Sequence, residues 1–148
     1  QYYGGDELDA SLLMLPLVGF LPATDERIVS TIDAIALELT ENGLVKRYLT
    51  LPSGEVDGLP PGEGTFLPCS FWLADCLHLL GRTQEAEKLF AHLLALRNDL
   101  GLLAEEYDPQ AARQLGNVPQ AFSHVCMVNT AMNLTRRVIG PADDRSTR

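Results

Sequence analysis

The chain has few basic residues, and this shortage excludes two classes of partner. Its 148 residues include 11 Lys and Arg against 20 Asp and Glu, which gives a formal net charge of −9 with the His residues neutral. A protein that binds nucleic acid or an anionic membrane through charge needs a basic face. We therefore expect neither partner, whereas a neutral substrate such as a sugar is compatible with this charge.

Long apolar runs and an N-terminal methionine are also missing. No stretch has the roughly 20 consecutive apolar residues that a membrane-spanning helix needs, and the N-terminus has no signal-peptide pattern. The chain begins with Gln1 and an ordinary mixed sequence rather than with Met. We expect a fragment, or one domain of a longer chain.

Cysteine is scarce, and its spacing indicates neither a disulfide nor a zinc site. Cys69 and Cys76 lie two turns apart on one predicted helix, roughly 10 Å along its axis. Bridged cysteines have Cα atoms within about 7 Å of each other. Cys126 is the third cysteine, and no CxxC or Cys/His spacing occurs. We expect reduced thiols, a cytoplasmic location, no metal and no cofactor.

Apolar residues recur at helical spacing in five segments, which predicts an all-α fold. The segments run over residues 6–20, 24–42, 65–80, 83–97 and 120–137. Pro16 should end or kink the first segment. Thr24 is the expected cap of the second segment, and Asn42-Gly43 is its expected end. The third and fourth segments form a predicted helical hairpin with a short turn at Gly81.

Two long connections separate these helices. Residues 44–49 could form a short strand or an extended segment. The following residues to 64 contain seven Pro and Gly residues that break regular structure. A loop of this length in a compact domain is usually functional or disordered. Because it carries Arg47, Tyr48 and Glu63, we favour a functional loop. Residues 110–119 form the second predicted loop, and the helix end with the long loops is the expected ligand site.

The stretch 101–109 (GLLAEEYDP) combines apolar, aromatic and acidic side chains. Glu105, Glu106 and Asp108 place three carboxylates within four residues, with Tyr107 among them. One interpretation is a carboxylate at the rim of a pocket. The other is an acidic turn at the start of a helix, where the helix dipole favours negative charge. Taken alone, the stretch favours the second interpretation, because clustered acids mark functional sites only statistically.

Five phrases in order resemble one enzyme family. They are residues 6–11 (DELDAS), 43–48 (GLVKRY), 62–72 (GEGTFLPCSFW), 101–108 (GLLAEEYD) and 116–124 (GNVPQAFSH). Together they are similar to the C-terminal part of the catalytic domain of family-15 glycoside hydrolases, which include glucoamylases, glucodextranases and bacterial trehalases. The resemblance implies that residues 1–140 form part of an (α/α)6 barrel, a toroid of six helical hairpins that is incomplete here. Residues 141–148 would be a polar tail.

The resemblance also implies a reaction. Family members are exo-acting hydrolases that invert the anomeric carbon of α-glucosides, with an acid and a base roughly 6.5–9.5 Å apart. By position, Glu105 matches the general base. The family's general acid lies upstream in a Trp-Glu phrase, whereas Trp72, the only Trp, precedes Leu73. The acid is thus missing, and the chain alone should be inactive on an α-glucoside oligosaccharide or trehalose.

Several further residues are candidates for substrate binding. Arg47 matches a family arginine that reaches sugar hydroxyls, a task that suits its planar fork. Glu63 lies between two glycines, where the backbone can approach a ligand. The full set of candidates is Arg47, Tyr48, Glu63, Glu106 and Gln120.

Structural roles remain open as alternatives to these functional ones. Arg47 could be a surface residue and Glu63 a turn acid. Structural roles are favoured for Asp9 as a local cap, for Trp72 as a core residue and for His124 as a packing residue. The whole chain could instead be a non-catalytic helical-hairpin domain for binding or assembly. An incomplete barrel exposes apolar helix faces, so we expect self-association or the remainder of the barrel as partner.

Overall fold

Five α-helices and five short strands make up the computed structural model, which describes residues 4–5, 7–49 and 64–135. The helices are α1 (Met14–Leu17), α2 (Glu26–Glu38), α3 (Leu67–Leu79), α4 (Thr83–Ala95) and α5 (Ala121–Thr135). The strands are β1 (Thr40–Glu41), β2 (Leu44–Val45), β3 (Thr65–Phe66), β4 (Glu106–Asp108) and β5 (Arg113–Leu115). Glu63 and the tail at 141–148 lie outside the described residues.

The helix α3 is the buried centre of the structure. Ten of its 13 residues are buried, and it packs against α1, α2, α4 and α5. One side of α3 joins the cluster around Ile32 and Ile35 of α2, and the other side joins the cluster around Leu93 of α4. A helix that is apolar nearly all round can only be stable when neighbours cover it on every side.

The predicted helical hairpin is confirmed. The helices α3 and α4 are joined by a short turn in which Gly81 has a φ of 77°, a conformation that costs a residue without a side chain little. Cys69 and Cys76 both lie on α3, and these thiols and that of Cys126 are free and buried.

The first predicted helix is wrong in length and type. A 3₁₀ helix over Ala10–Leu13 leads into the four-residue α1, and Asp9 caps it by accepting a 2.8 Å bond from the amide of Ser11. Helical structure ends at Leu17, one residue after Pro16, as the proline predicts. The ring removes one amide donor and so limits how far a helix can extend around it.

The second predicted helix is also corrected at both ends. Asp25, not Thr24, is the cap, because its carboxylate accepts a 3.0 Å bond from the amide of Arg27. The helix ends at Glu38 rather than at Asn42-Gly43. Those two residues instead form the turn of the β1–β2 hairpin, with φ values of 50° and 80°. Two successive residues with positive φ are typical of a tight hairpin turn.

About half of the described residues are helical, which agrees with the all-α prediction in part, but two small antiparallel sheets are also present. One is the β1–β2 hairpin, and the other has the order β3-β4-β5. The acidic stretch is strand β4, so the interpretation as a turn at the start of a helix is wrong. In the second sheet Tyr107 pairs with Thr65 on one side and Gln114 on the other. The predicted loop 110–119 accordingly contains β5.

Part of the surface of α5 is apolar and exposed. Phe122, Val125, Val128 and Met132 follow one another at spacings of three and four residues, and each is more than a third exposed. Residues at these spacings share one face of a helix. The described residues include no helix with the length and apolarity needed to cross a membrane.

Candidate active site

Glu105 lies just before β4, and its backbone continues the strand ladder in both directions. Its amide donates to the carbonyl of Asn117 at 3.1 Å, and its carbonyl accepts from the amide of Leu67 at 3.1 Å. Leu67 is the first residue of α3, and Asn117 precedes α5. The backbone of Glu105 is therefore fixed between the starts of two helices.

The side chain of Glu105 is half-buried and is held by the same neighbour. Its Oε2 accepts a 2.9 Å hydrogen bond from the side-chain Nδ2 of Asn117. It also accepts a longer bond, 3.4 Å, from the backbone amide of Asn117. Gly116 packs against it, because a Cβ at position 116 would lie 3.0 Å from Cβ of Glu105 and 3.1 Å from Oε2. The turn of Gly116 and Asn117 thus contacts one oxygen of the carboxylate, Oε2.

The two residues before Glu105 are buried and anchored to α5. The amide of Leu103 donates to Nε2 of His124 at 3.3 Å, and the carbonyl of Leu103 accepts from the amide of Gln120 at 3.0 Å. The carbonyl of Ala104 accepts a 2.7 Å bond from the hydroxyl of Ser123. Buried backbone groups need such partners. The segment that carries Glu105 therefore cannot shift without breaking these hydrogen bonds.

His124 contacts backbone groups of Leu103 and Gln120 with its two ring nitrogens. Its Nδ1 lies 2.7 Å from the carbonyl of Gln120, and its Nε2 accepts from the amide of Leu103. Only the neutral tautomer with the proton on Nδ1 satisfies both contacts. These contacts give His124 the packing role that the sequence favoured for it.

Glu106 is the first residue of β4, and its carboxylate has a different partner from that of Glu105. Its Oε2 accepts a 2.9 Å bond from the amide of Gly64. Position 64 has no room for a side chain, since a Cβ there would lie 2.7 Å from the carbonyl oxygen of Tyr107. Glu106 thus ties β4 to the residue just before β3.

Arg47 and Tyr48 form a pair in the segment after β2. Arg47 is exposed and Tyr48 is buried, and the guanidinium carbon lies 5.2 Å from the centroid of the Tyr48 ring. That distance is typical of a cation–π contact. The carbonyl of Arg47 accepts a 2.8 Å bond from the amide of Ala10. The guanidinium of Arg47 therefore packs against the Tyr48 ring and remains exposed to solvent.

The first turn of α3 connects the Arg47 segment to the Glu105 segment. The amide of Val45, two residues before Arg47, donates to the hydroxyl of Ser70 at 2.8 Å. The amide of Leu67 donates to the carbonyl of Glu105. One helical turn thereby positions both candidate segments, although they are far apart in sequence.

The remaining candidates have mainly structural contacts. The backbone amide of Gln120 donates to the carbonyl of Leu103. The side-chain oxygen of Gln120 accepts a 3.3 Å bond from the backbone amide of Phe122 at the start of α5. Trp72 is half-buried, and its ring centroid lies 5.7 Å from that of Phe122 in an edge-to-face contact. Asp9 is the cap described above. The part of the chain that the structure describes has no cluster of three or more His, Cys, Asp or Glu residues suited to a metal.

Asn117 is the residue that the sequence reasoning missed. It falls within the phrase 116–124, but nothing in the sequence says that its amide contacts Glu105, 12 residues earlier. The signal that could have drawn attention to it is the Gly-Asn pair itself, since such a pair favours a turn that brings the backbone close to a neighbour.

Comparison with known proteins shows the family to which the chain belongs. The family model described as glycosyl hydrolases family 15 matches residues 1–132. The chain therefore belongs to glycosyl hydrolase family 15, and the resemblance predicted from the sequence is confirmed. No solved structure gives a significant match.

Within that family the chain is similar to trehalases. The trehalase of Mycolicibacterium smegmatis is 48% identical over 136 residues, which are 92% of this chain and 20% of that protein. The trehalase of Mycobacterium tuberculosis is 46% identical over the same shares. The trehalase of Thermoplasma volcanium is 41% identical over 94% of this chain and 22% of that protein. The chain spans about a fifth of the length of these relatives.

Proposed function

We propose that the chain is the C-terminal, base-carrying part of the catalytic domain of an inverting trehalase-type hydrolase. The observation that carries the proposal is Glu105, a half-buried carboxylate whose backbone is fixed on both sides and whose Oε2 is held by Asn117. A general base needs a fixed position within hydrogen-bond reach of the water that it deprotonates. Membership of family 15 and the similarity to trehalases support trehalose as substrate, with α-glucoside oligosaccharides as the wider class.

The reaction assigns Glu105 one half of a two-carboxylate mechanism. The oxygen of a water molecule bonds to the anomeric carbon while the glycosidic carbon–oxygen bond breaks. Glu105 takes the proton that the water loses, and the departing oxygen takes a proton from a carboxylic acid on the opposite side of the sugar. The chain's one Trp-led phrase lacks a Glu, so we assign that acid to another part of the full-length protein.

Arg47 is the proposed sugar-binding cation. Its guanidinium is exposed while the ring of Tyr48 supports it from below, so its donors remain open to hydroxyl groups. Tyr48 then positions Arg47 rather than reaching the sugar itself. Glu106 and Gln120 stay substrate-binding predictions, and their described contacts are with Gly64 and Leu103. Glu63 stays a substrate-binding prediction.

The remainder of an (α/α)6 barrel is the proposed cover for the apolar face of α5. Phe122, Val125, Val128 and Met132 are between 39% and 55% exposed, and an apolar patch of this kind marks a contact surface. The relatives are about five times longer than the matched region, so their additional length is sufficient for the missing hairpins. The cytoplasm remains the predicted location, because the three thiols are free and buried.

The anomeric form of the product tests this proposal. Full-length protein is mixed with trehalose, and the released glucose is followed by proton NMR before the anomers equilibrate. Inversion at one glucose unit gives equal amounts of β-glucose and α-glucose, whereas retention gives α-glucose alone. No glucose from trehalose, maltooligosaccharides or isomaltooligosaccharides would contradict the enzyme proposal and favour an assembly domain.

A further inference from the structure

We propose that Asn117 is the positioning residue that decides which oxygen of Glu105 acts as the base. The inference rests on the proposed function, in which Glu105 takes a proton from the attacking water. Its starting point is an asymmetry in the carboxylate. Oε2 accepts bonds from Nδ2 and from the amide of Asn117 at 2.9 Å and 3.4 Å. Within the described residues, Oε1 accepts no hydrogen bond.

Asn117 contacts Glu105 at three points, which fix the backbone and the side chain together. Besides the two bonds to Oε2, the carbonyl of Asn117 accepts from the amide of Glu105 at 3.1 Å. The backbone bond fixes where the side chain begins, and the bond from Nδ2 fixes where it ends. The torsions between these two points are thereby restricted, so the direction in which Oε1 points is set.

Gly116 packs against the same oxygen, Oε2. Its φ of 73° brings the backbone against Glu105, so that a Cβ at this position would lie 3.1 Å from Oε2. The turn occupies one side of Oε2, and the two hydrogen bonds from Asn117 use its capacity as an acceptor. The oxygen left to receive the proton of the attacking water is therefore Oε1.

An amide is well suited to this task. The Nδ2 group donates a hydrogen bond to the charged carboxylate but has no charge of its own. A lysine or arginine in its place would form an ion pair with the carboxylate. The ion pair would stabilise the charged form of Glu105 and make it a weaker base. Asn117 thus orients the base without neutralising it, and it acts through Glu105 rather than on the substrate.

Two substitutions in the full-length protein separate positioning from simple space filling. Asn117→Ala removes the donor, and we expect kcat on trehalose to fall about 10- to 100-fold with KM nearly unchanged. Asn117→Asp keeps the size but sets a second carboxylate against Oε2, so we expect a larger fall than for alanine. If Asn117 only filled space, aspartate would be the milder change. Asn42→Asp, in the exposed β1–β2 turn, is the matched control and should leave kcat unchanged.

Thermal melting gives a second measure that does not require activity. Asn117→Asp should lower Tm in the wild-type background, because two carboxylates then face each other. In the Glu105→Gln background the same substitution should lower Tm less, because the amide of glutamine can donate to the new carboxylate. Equal Tm shifts in the two backgrounds would overturn the contact on which the proposal depends.

The outcomes distinguish this inference from the proposed function. A wild-type protein that hydrolyses no α-glucoside overturns both. An active wild type with an inactive Glu105→Gln variant and with Asn117 variants at full kcat overturns the role of Asn117 alone. Falls in kcat that are larger for aspartate than for alanine support the proposal.

Discussion

The carboxylate of Asp75 on α3 accepts a 3.2 Å hydrogen bond from the hydroxyl of Thr130 on α5. Its other oxygen accepts a 3.1 Å bond from Nδ2 of Asn133, also on α5. Asp75 is only 6% exposed, and these two bonds join the central helix to α5, the helix that anchors the segment before Glu105. Burial raises the pKa of Asp75 from 3.8 to about 6, and the two hydrogen bonds only partly oppose that change.

This pKa predicts a loss of stability as the pH rises. The folded state holds the proton of Asp75 more tightly than the unfolded state does. The contribution to stability is therefore complete below pH 3.8 and is lost as the pH rises through about 6. Asp75→Asn should remove this dependence. We expect the free energy of unfolding of the variant, relative to wild type, to be on the order of 2 kcal/mol higher at pH 7 than at pH 4.

Urea denaturation of both proteins at the two pH values measures the difference. Asp99→Asn, which removes an exposed carboxyl group, controls for the general loss of negative charge. A difference between Asp75→Asn and wild type that is the same at pH 4 and pH 7 would show that Asp75 is not held as the structure has it.

Gly116 predicts a catalytic effect for which another glycine is the matched control. Gly116 and Gly81 both have positive φ, at 73° and 77°. A Cβ at Gly116 would press on Glu105, whereas a Cβ at Gly81 meets nothing within 4 Å. Alanine should therefore cost each protein about 1–2 kcal/mol of stability from backbone strain. Only Gly116→Ala should also lower kcat/KM on trehalose, by at least about tenfold.

Steady-state kinetics on the two alanine variants, with melting curves for each, tests this expectation. Equal kcat/KM values for the two variants would mean that the position of Glu105 does not depend on the turn at Gly116.

The exposed face of α5 predicts association of the isolated 148-residue chain. Val125 and Val128 are 55% and 51% exposed, and burying such surface is favourable by roughly 25 cal/mol per Å². Light scattering should show oligomers, and lysine at both positions should shift the chain toward the monomer. Leu37→Lys, on an 82% exposed residue of α2, is the control. A monomeric wild-type chain would contradict the idea that a partner surface covers α5.

Most of the fold prediction rests on helical apolar patterns. These patterns do not predict the short strands, whose formation depends on pairing with residues elsewhere in the chain. The helices α3 and α4 extend over 13 residues each, which is long enough for their apolar content to be visible in the sequence. Strand β4 has three residues, which is too short for a visible alternation. Asn42-Gly43 fits a helix end or a hairpin turn equally well, and only the pairing of Thr40 with Val45 selects the turn.

The sequence predicts which residue types belong to the candidate site, but not the contacts between them. Glu105 and Arg47 are predictions from phrases that resemble a family, and each side chain is of a type suited to its predicted chemistry. Asn117 could not be recognised in this way, because its contact with Glu105 exists only once β4, β5 and the start of α5 come together. The same applies to the bond between Ser123 and Ala104.

The most direct test of the account is kcat for trehalose hydrolysis by the full-length protein with Glu105→Gln. Glutamine keeps the size and can still meet Asn117, but it cannot take a proton from water. Loss of a general base typically costs about 10²–10⁴-fold in rate, and we predict a fall in this range with an unchanged melting temperature. Glu87→Gln, on the exposed side of α4, should retain full activity. A Glu105→Gln variant with wild-type kcat would contradict the assignment of Glu105 as the base.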